Sequence, residues 1–416
     1  MSRLTELIQE LCPNGVEFKK IKEVYQRLKG TPITASKMKE IENPQGEIRI
    51  FAGGKTVINA KEIDIPNANI TRVPAVLVQS RGVIDAVYYD KPFTFKNEMW
   101  AYTTENPVSV KFLYYVLKNN MEYFRSAAAG MGSLPQISLP VTEDFEIPLP
   151  PIEIQREIVR ILDTFTELTA ELTAELTARK QQYEYYRNTL LNFDLKIPKV
   201  KLKDIATAFY RGFGIKRDDV SAEGVPCVRY GEIYTTYNTW FDTCVSHVDI
   251  KKVESPKYFE YGDILFAITG ESIEDIAKSV AYVGHEKCLA GGDIVVMKHN
   301  QNPRYIAHVL ATQAAKAQKG KGKVKSKVVH SNVPSIENIE IPLPSLAVQE
   351  RCAYLLDNFE SICSDLNIGL PAEIEARKKQ YEFYRDQLLT FAAQDEIVLT
   401  DRQTDRQTDR QTSITP

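Results

Sequence analysis

One stretch of this chain occurs twice, and the repeat constrains the fold more than any other feature of the sequence. Residues 147–168, IPLPPIEIQREIVRILDTFTEL, return 194 positions later as residues 341–362, IPLPSLAVQERCAYLLDNFESI. Each copy continues into a second shared block, ARKQQYEYYRNTLL at 178–191 and ARKKQYEFYRDQLL at 376–389. The segments preceding the copies also begin alike, with KIKEV from Lys20 and KLKDI from Lys201. The sequence therefore indicates a duplicated unit.

Each copy of the repeat predicts a long helix. Pro151 can occupy the first turn, where a missing N–H costs nothing. Apolar residues then recur at spacings of four and three, from Ile154 to Leu190 in the first copy and from Val348 to Leu388 in the second. A helix of about 40 residues is roughly 60 Å long and requires a partner along its apolar face. The other copy is the expected partner, and the connectivity makes the pair antiparallel. An ordinary helix pair within a larger fold is the alternative, which duplication of the whole unit argues against.

The predicted fold class is α/β (α+β), with two mixed modules separated by two long helices that pair as an antiparallel coiled coil. In the modules, short apolar runs predict strands at 75–80, 86–89, 264–270 and 279–283, and helices are expected near 111–120 and 303–316. Gly369 and Pro371 predict a kink or a short break in the second long helix. The predicted boundaries are an N-terminal helix at 1–15, modules at 16–146 and 197–340, helical spacers at 147–196 and 341–392, and a disordered tail at 393–416.

The net charge of −3 conceals an uneven distribution of charge. Residues 16–139 carry 17 Lys and Arg against 12 Asp and Glu, and residues 197–333 carry 20 against 15. Each module is therefore positive by five charges, whereas the helices, boundaries and tails hold 15 basic and 28 acidic residues. A positive module is suited to gripping a polyanion.

Catalytic motifs are nearly absent from the sequence. It holds no phosphate-binding P-loop, no strand followed by G-x-G-x-x-G, and no Asn-Pro-Pro-aromatic tetrapeptide of adenine methyltransferases. Its five histidines show no metal-ligand spacing, and its six scattered cysteines indicate neither zinc nor a disulfide framework. Asp242 with Asp249 and Lys251 resembles the acid pattern of some nucleases, but such a match arises easily by chance. No segment predicts a signal peptide or a membrane span, and a reducing cytoplasm is the expected setting.

The candidate binding residues are of two kinds. Six lysines lie within twelve residues containing no acid, and as a flexible loop they would track phosphates without reading sequence; a merely solvated loop is the alternative. They are Lys316, Lys319, Lys321, Lys323, Lys325 and Lys327. Base reading requires planar or bidentate groups on structured loops. The candidates for that role are Lys55, Arg81 and Asn97 in the first module and Arg229, Tyr230 and Thr269 in the second.

Two divergent modules alternate with helical regions that open I-P-L-P-x-x-x-x-Q and close A-R-K-x-Q-Y-E-x-Y-R. In this the chain resembles the DNA specificity subunits of type I restriction–modification systems, up to about Phe391. The resemblance implies that each module is a target-recognition domain reading half of a bipartite, asymmetric site in double-stranded DNA, with the helices fixing the spacing. The chain itself would be non-catalytic.

The resemblance also implies partners and their cofactors. Two methyltransferase (modification) subunits would bring S-adenosylmethionine, and endonuclease or translocase (restriction) subunits using ATP and Mg could join them. No cofactor or metal is expected on this chain. The competing hypotheses are a self-sufficient methyltransferase or nuclease with unrecognised motifs, and a coiled-coil adaptor protein.

Two short tandem repeats complete the pattern. ELTA occurs three times from Glu167 to Ala178, and adding or removing one unit would change the length of the first helix. DRQT occurs three times from Asp401 to Thr412, a composition that cannot bury a core. The codons GAC-AGA-CAG-ACA would encode DRQT as repeats of the tetranucleotide GACA, which predicts slippage during replication. Mixed codons for a duplicated peptide are the alternative.

Overall fold

The structure is a computed structural model that describes residues 3–128, 135–193, 197–270, 276–319, 323–325, 328–364 and 369–390. It comprises two compact units, each described by itself below. The first unit contains Met1–Ala170 and Ala376–Pro416, and the second contains Glu171–Glu375. The DRQT tail, Lys321 and Lys327 lie outside the described residues.

Helices form where the apolar spacing and the caps predict them, and Asn106 and Asn302 cap two of them through their side chains. In chain order they are α1 (Arg3–Leu11), α2 (Ile21–Val24), α3 (Ala35–Ile41), α4 (Pro107–Asn119), α5 (Met121–Ala127), α6 (Leu139–Glu143), α7 (Ile152–Leu190), α8 (Leu202–Ile205), α9 (Tyr230–Thr235), α10 (Pro303–Leu310), α11 (Gln313–Lys319), α12 (Val333–Glu337), α13 (Leu346–Ser364) and α14 (Gly369–Thr390). Within the described ranges, no helix is both long and apolar enough to cross a membrane.

Strands are short, and most belong to the two modules. In chain order they are β1 (Phe18–Lys20), β2 (Gln26–Leu28), β3 (Ile48–Phe51), β4 (Val57–Ala60), β5 (Ala75–Gln79), β6 (Asp85–Tyr89), β7 (Phe93–Phe95), β8 (Trp100–Thr103), β9 (Glu146–Pro148), β10 (Lys199–Lys201), β11 (Ala206–Arg211), β12 (Val220–Ser221), β13 (Val225–Val228), β14 (Trp240–Phe241), β15 (Ser246–Val248), β16 (Tyr258–Phe259), β17 (Ile264–Ala267), β18 (Thr269–Gly270), β19 (Ser279–Tyr282), β20 (Cys288–Ala290), β21 (Ile294–His299), β22 (Lys323–Lys325), β23 (Val328–His330) and β24 (Glu340–Pro342).

The two modules share one sheet framework. In the first, a sheet of order β2-β8-β5-β6 accompanies a smaller sheet of order β4-β3-β7, in which β3 and β7 are parallel. In the second, the corresponding sheets have the orders β11-β21-β17-β19-β14 and β12-β15-β13-β20-β16, with β13 parallel to β20. The mixed α/β class predicted from the sequence is confirmed. Duplication therefore extends through the modules, although their sequences have diverged.

The repeated I-P-L-P-x-x-x-x-Q motif closes each module onto its helix. Its first residues form β9 and β24, which pair antiparallel with β1 and β10 at the start of the modules. The motif glutamine is buried in both copies: Gln155 Nε2 donates to the carbonyl of Pro150 at 2.8 Å, and Gln349 Nε2 donates to that of Pro344 at 2.9 Å. Because a buried carbonyl requires a donor, the glutamine satisfies the proline turn that precedes the helix.

Aromatic stacking joins the repeated helices in each unit. In the first unit, Phe165 of α7 stacks on Tyr384 of α14, with ring centroids 5.5 Å apart. In the second unit, the equivalent pair is Phe359 of α13 and Tyr186 of α7, at 5.8 Å. In each unit, the first shared block of one copy therefore contacts the second shared block of the other copy.

The elements within the modules agree with the sequence in most places. The strands predicted at 75–80, 86–89 and 279–283 are β5, β6 and β19, and the helix expected near 111–120 is α4. The helix expected over 303–316 is divided, because α10 ends at Leu310 and α11 begins at Gln313. In the second helical region α13 ends at Ser364 and Pro371 lies in the first turn of α14, where a missing N–H is tolerated. Residues 365–368 between them lie outside the described part.

Candidate nucleic-acid interface

Main-chain hydrogen bonds align the loops of the two modules residue by residue. Thr31 N donates to Phe95 O at 2.8 Å in the first module, and Phe213 N donates to Ala290 O at 3.0 Å in the second. The next residues repeat the match: Lys96 N donates to Phe51 O, and Gly291 N donates to Val228 O, both at 2.9 Å. Residues 52–55 therefore correspond to residues 229–232, and residues 96–98 correspond to 291–293.

In each module these loops lie at the same sheet edge. Strands β3 and β7 are parallel, as are β13 and β20, so the loops that follow each pair leave the sheet together. The framework up to the loops is shared, but residues 52–55 and 229–232 differ at three of four positions and residues 96–98 and 291–293 differ at all three. We call these two places the first and second loop edges.

At the first loop edge, the main-chain segments that carry the candidate residues Lys55, Arg81 and Asn97 lie close together. Gly53, two residues before Lys55, donates its N–H to Glu98 Oε1 at 3.2 Å, beside Asn97. A Cβ added to Gly53 would lie 3.9 Å from the carbonyl oxygen of Arg81. Arg81 and Asn97 are exposed, and the side chain of Lys55 lies outside the described part.

Electrostatics at the first loop edge centre on Glu98. Burial raises the pKa of this carboxyl, but hydrogen bonds from Lys96 and the Gly53 N–H, together with the nearby charges of Lys96 and Arg81, lower its pKa below the ordinary value overall. The Lys96 ammonium lies 2.9 Å from Glu98 Oε2. Glu98 therefore stays ionised at neutral pH and holds the loops around it.

The second loop edge forms a cleft of about 910 Å³ that holds three arginines. Arg211 donates to Gly292 O and to Asp293 Oδ1, both at 2.5 Å. The side chain of Arg217 has no hydrogen bond or ion pair in the part of the chain that the structure describes, and Arg229 is held by Glu232. A Cβ at Gly212 would lie only 2.2 Å from the carbonyl oxygen of Gly291, so the close approach of the cleft walls requires glycine.

Two of the three candidates in the second module line this cleft. Arg229 and Tyr230 open helix α9, and Tyr230 is 40% exposed. Thr269 does not line it: the residue belongs to β18, and its Oγ1 lies 3.3 Å from His330 Nδ1. Sequence reasoning missed Arg211, Arg217 and Glu232, because their common location follows from the parallel pairing of β13 with β20 and has no local motif.

The lysine row is not the flexible loop predicted from the sequence, and this expectation is wrong for the residues described. Lys316 and Lys319 lie in helix α11, and Lys323 and Lys325 lie in strand β22. Lys316 is exposed, but Lys319 is buried, with its Nζ 3.1 Å from Ser279 Oγ and above the ring of Phe266. Burial, with a smaller effect of Lys316, lowers the pKa of Lys319 to about 7. The ammonium is directed toward Ser279 of β19 and Phe266 of β17, so this lysine does not reach phosphates.

The acidic residues that could suggest a metal or catalytic site are already engaged in hydrogen bonds within the fold. His308, Asp357 and Glu360 each have an atom that could bind a metal ion, and these three atoms lie within 4.8 Å of one another. Asp357 already accepts from Trp240 Nε1 at 2.9 Å and from Arg304 Nη1 at 2.8 Å, which opposes binding of a further cation. Of the nuclease-like pattern, Asp249 Oδ1 accepts from the N–H of Lys251 at 3.0 Å, and Asp242 Oδ1 accepts from its neighbour Thr243. Asp242 and Asp249 belong to no such cluster among the described residues.

The chain contains two similar modules whose loop edges carry different side chains, as expected of a protein that recognises two sites. Comparisons with known proteins identify its class. The family model described as "Type I restriction modification DNA specificity domain" matches residues 13–179 and 196–376. The chain belongs to this family. It is a specificity subunit, not the catalyst, and serves to select DNA sequence.

Individual relatives agree. A putative type I restriction enzyme specificity subunit from Haemophilus influenzae is 28% identical over 72% of this chain and 77% of its own length. The EcoR124I/EcoR124II type I restriction enzyme specificity subunit from Escherichia coli is 28% identical over 70% and 74%. The crystal structure of a type I restriction–modification S subunit from M. genitalium has a TM-score of 0.52 at 17% identity, covering 92% of this chain and 98% of that one. At that identity the likeness shows the fold.

Proposed function

We propose that this chain reads a bipartite, asymmetric site in double-stranded DNA, one half with each loop edge. The correspondence of residues 52–55 with 229–232 supports this most directly. The shared framework carries different residues at three of four equivalent positions, Ala-Gly-Gly-Lys in one module and Arg-Tyr-Gly-Glu in the other. Direct readout depends on such side chains, so the two edges would recognise different base sequences. The positive balance of each module would supply affinity for phosphates.

Partner subunits would perform the chemistry. Relatives of this chain are named as specificity subunits of type I restriction enzymes, and we infer that two methyltransferase subunits and restriction subunits assemble on this one. S-adenosylmethionine, ATP and Mg would then belong to the partners. We place the assembly in the cytoplasm of a bacterium or archaeon, where its DNA substrate is found.

The repeated helices offer docking surfaces for the methyltransferase subunits. Large apolar side chains remain exposed on them in both units, which is unusual for a face that meets only water. In the second unit they include Tyr185, Leu346, Tyr354 and Ile362, and in the first unit Leu168 and Phe383. Because the exposed residues lie on the two copies of one repeat, two copies of the same partner would find similar surfaces.

Domain exchange tests this proposal. Residues 16–140 are replaced by the same segment of a relative, the chain is expressed with its methyltransferase partner, and methylated adenines are mapped across the genome. We expect one half of the recognised site to change and the other half to remain. The matched control exchanges residues 197–340, which should change only the other half. A change of both halves by either exchange would contradict the assignment of one half-site to each module.

A further inference from the structure

The second loop edge contains an arginine whose guanidinium is fixed from one side by a buried carboxylate. We propose that Arg229 reads a guanine in the half-site of the second module, with Glu232 and Ser246 as positioning residues. This inference rests on the proposed DNA recognition and assigns to one residue a base that it selects.

The contacts of Glu232 explain why Arg229 is held in one orientation. The Glu232 side chain is 7% exposed, and its Oε1 accepts from Arg229 Nε at 2.9 Å and from Arg229 Nη2 at 2.7 Å. Ser246 Oγ donates to the same oxygen at 2.6 Å, and the main-chain N–H of Arg229 donates to Oε2 at 3.0 Å. The carboxylate is thus anchored to strand β15 and to the start of α9, and the guanidinium is anchored to the carboxylate.

The geometry of the Arg229 guanidinium determines which of its N–H groups can still bind a ligand. Glu232 occupies the edge formed by Nε and Nη2, so the end-on edge formed by Nη1 and Nη2 keeps its outward N–H groups. Two parallel donors of this kind match O6 and N7 of guanine in the major groove, whereas adenine presents a donor where guanine has O6. An arginine with one edge fixed loses little conformational entropy on binding, which favours discrimination between bases.

The surroundings of Arg229 suit a nucleic acid. Its side chain is 30% exposed and lines the cleft of about 910 Å³ with Arg211, Arg217 and Tyr230. A Cβ added to Gly231 would meet nothing within 4 Å, so the main chain beside Arg229 is open to a ligand. The side chain of Arg217 is exposed and has no partner within the described ranges, as expected for a phosphate contact that does not read bases.

The first module provides an internal comparison. Ala52 corresponds to Arg229 in the main-chain alignment, and Lys55 corresponds to Glu232. The first loop edge therefore lacks the arginine–carboxylate pair, and a guanine selected by Arg229 would belong to one half-site only.

The principal variant is Arg229→Lys, which keeps a positive charge beside Glu232 but cannot present two planar donors. The full chain is expressed with its methyltransferase partner, methylated adenines are mapped, and binding is measured on duplexes differing at single base pairs of the second half-site. We expect preference for G·C over A·T at one position to fall by about tenfold to a hundredfold, with the first half-site unchanged. Arg217→Ala is the matched control from the same cleft, and it should weaken binding to all duplexes equally and reduce the salt dependence.

The positioning residues require a readout that loss of stability does not change. Ser246→Ala and Glu232→Gln should lower the G·C preference at the same position as Arg229→Lys, while far-ultraviolet circular dichroism and binding to non-specific DNA remain as in the wild type. Ser246→Thr retains the hydroxyl and should retain the preference. Equal G·C preference in wild type and Ser246→Ala would remove the positioning role.

Two results would overturn the assignment of Arg229. One is a second half-site, located by domain exchange, that contains no G·C pair. The other is an Arg229→Lys variant with undiminished preference at every position of that half-site. Failure of the broader proposal has a different signature, because the wild-type chain would then direct no sequence-specific methylation.

Discussion

His308 Nε2 lies 2.8 Å from Asp357 Oδ1, joining helix α10 of the second module to helix α13. Arg304, one turn earlier on α10, donates to the other oxygen of Asp357 at 2.8 Å. The first unit repeats the arrangement at the equivalent aspartate, Asp163 of α7. Its carboxylate accepts from Tyr115 at 2.5 Å and pairs with Lys111 at 2.7 Å, again from residues four apart on one helix. One aspartate of the repeat therefore attaches each module to its helix.

Removing these aspartates should destabilise the unit to which each belongs. Asp357 is 11% exposed, and Asp357→Ala would leave Arg304 and His308 without their acceptor, costing about 1–3 kcal/mol. Asp163 is more exposed, so Asp163→Ala should lower the free energy of unfolding by about 1 kcal/mol. Urea unfolding of the full chain measures both. The control is Glu350→Ala, an exposed position on α13, and a loss as large there as at Asp357 would contradict the attachment role.

Stability should depend on pH through Lys319. Because burial lowers its pKa to about 7, the folded state loses this proton well below the pH at which the unfolded state does, near 10.4. The unfolded state then binds more protons between these values, so stability rises as pH increases from about 7 to about 10. Lys319→Met should raise the melting temperature most at pH 7 and below, with the gain shrinking toward pH 10.

The control for this prediction is Lys316→Met on the same helix, where the side chain is exposed and no comparable dependence is expected. A constant difference between Lys319→Met and wild type at every pH would show that the lysine titrates normally in the folded chain.

The ELTA repeat should set the spacing between the half-sites. Helix α7 is continuous through residues 167–178, and Thr169 and Thr177 bond back to carbonyls one turn earlier at 2.8 and 2.9 Å. Deleting one unit shortens the helix by about 6 Å and rotates its end by about 40° beyond a full turn. B-DNA advances roughly 3.4 Å and 34° per base pair, and angular register is the stricter demand. We therefore expect a spacer one base pair shorter.

Methylation mapping of the two-ELTA variant tests the spacing. Thr173→Ala changes composition at constant length and should leave the spacer unchanged. An identical spacer in the two-ELTA variant and the wild type would show that the repeat does not act as a ruler.

The purified chain alone should bind duplex DNA without modifying it. Affinity should fall by about tenfold or more between 50 and 200 mM salt, because phosphate contacts release counterions. Titration of labelled duplex at several salt concentrations, with mass spectrometry of the DNA, provides the measurement. Methylation or cleavage without partners would indicate a self-sufficient enzyme, and binding that is absent at all salt concentrations would indicate an adaptor protein.

The sequence by itself determined the duplication, the contact of α7 with the second copy of the repeat, and the mixed class of the modules. These features depend on repeated motifs, apolar periodicity and connectivity, which are properties of the chain order. The repeat also marked Gln155 and Gln349, although only the structure shows that they donate to Pro150 and Pro344.

Only the tertiary structure decided which side chains share an edge. Arg229 contacts the nearby Glu232, but Ser246 reaches the same carboxylate from β15, and Arg211 and Arg217 come to the same cleft from other parts of the module. Lys319 is buried against Ser279 and Phe266, although a row of lysines predicts solvent exposure. The approach of Ser246 to Glu232 and of Lys319 to Ser279 joins residues far apart in sequence, for which no local pattern carries a signal.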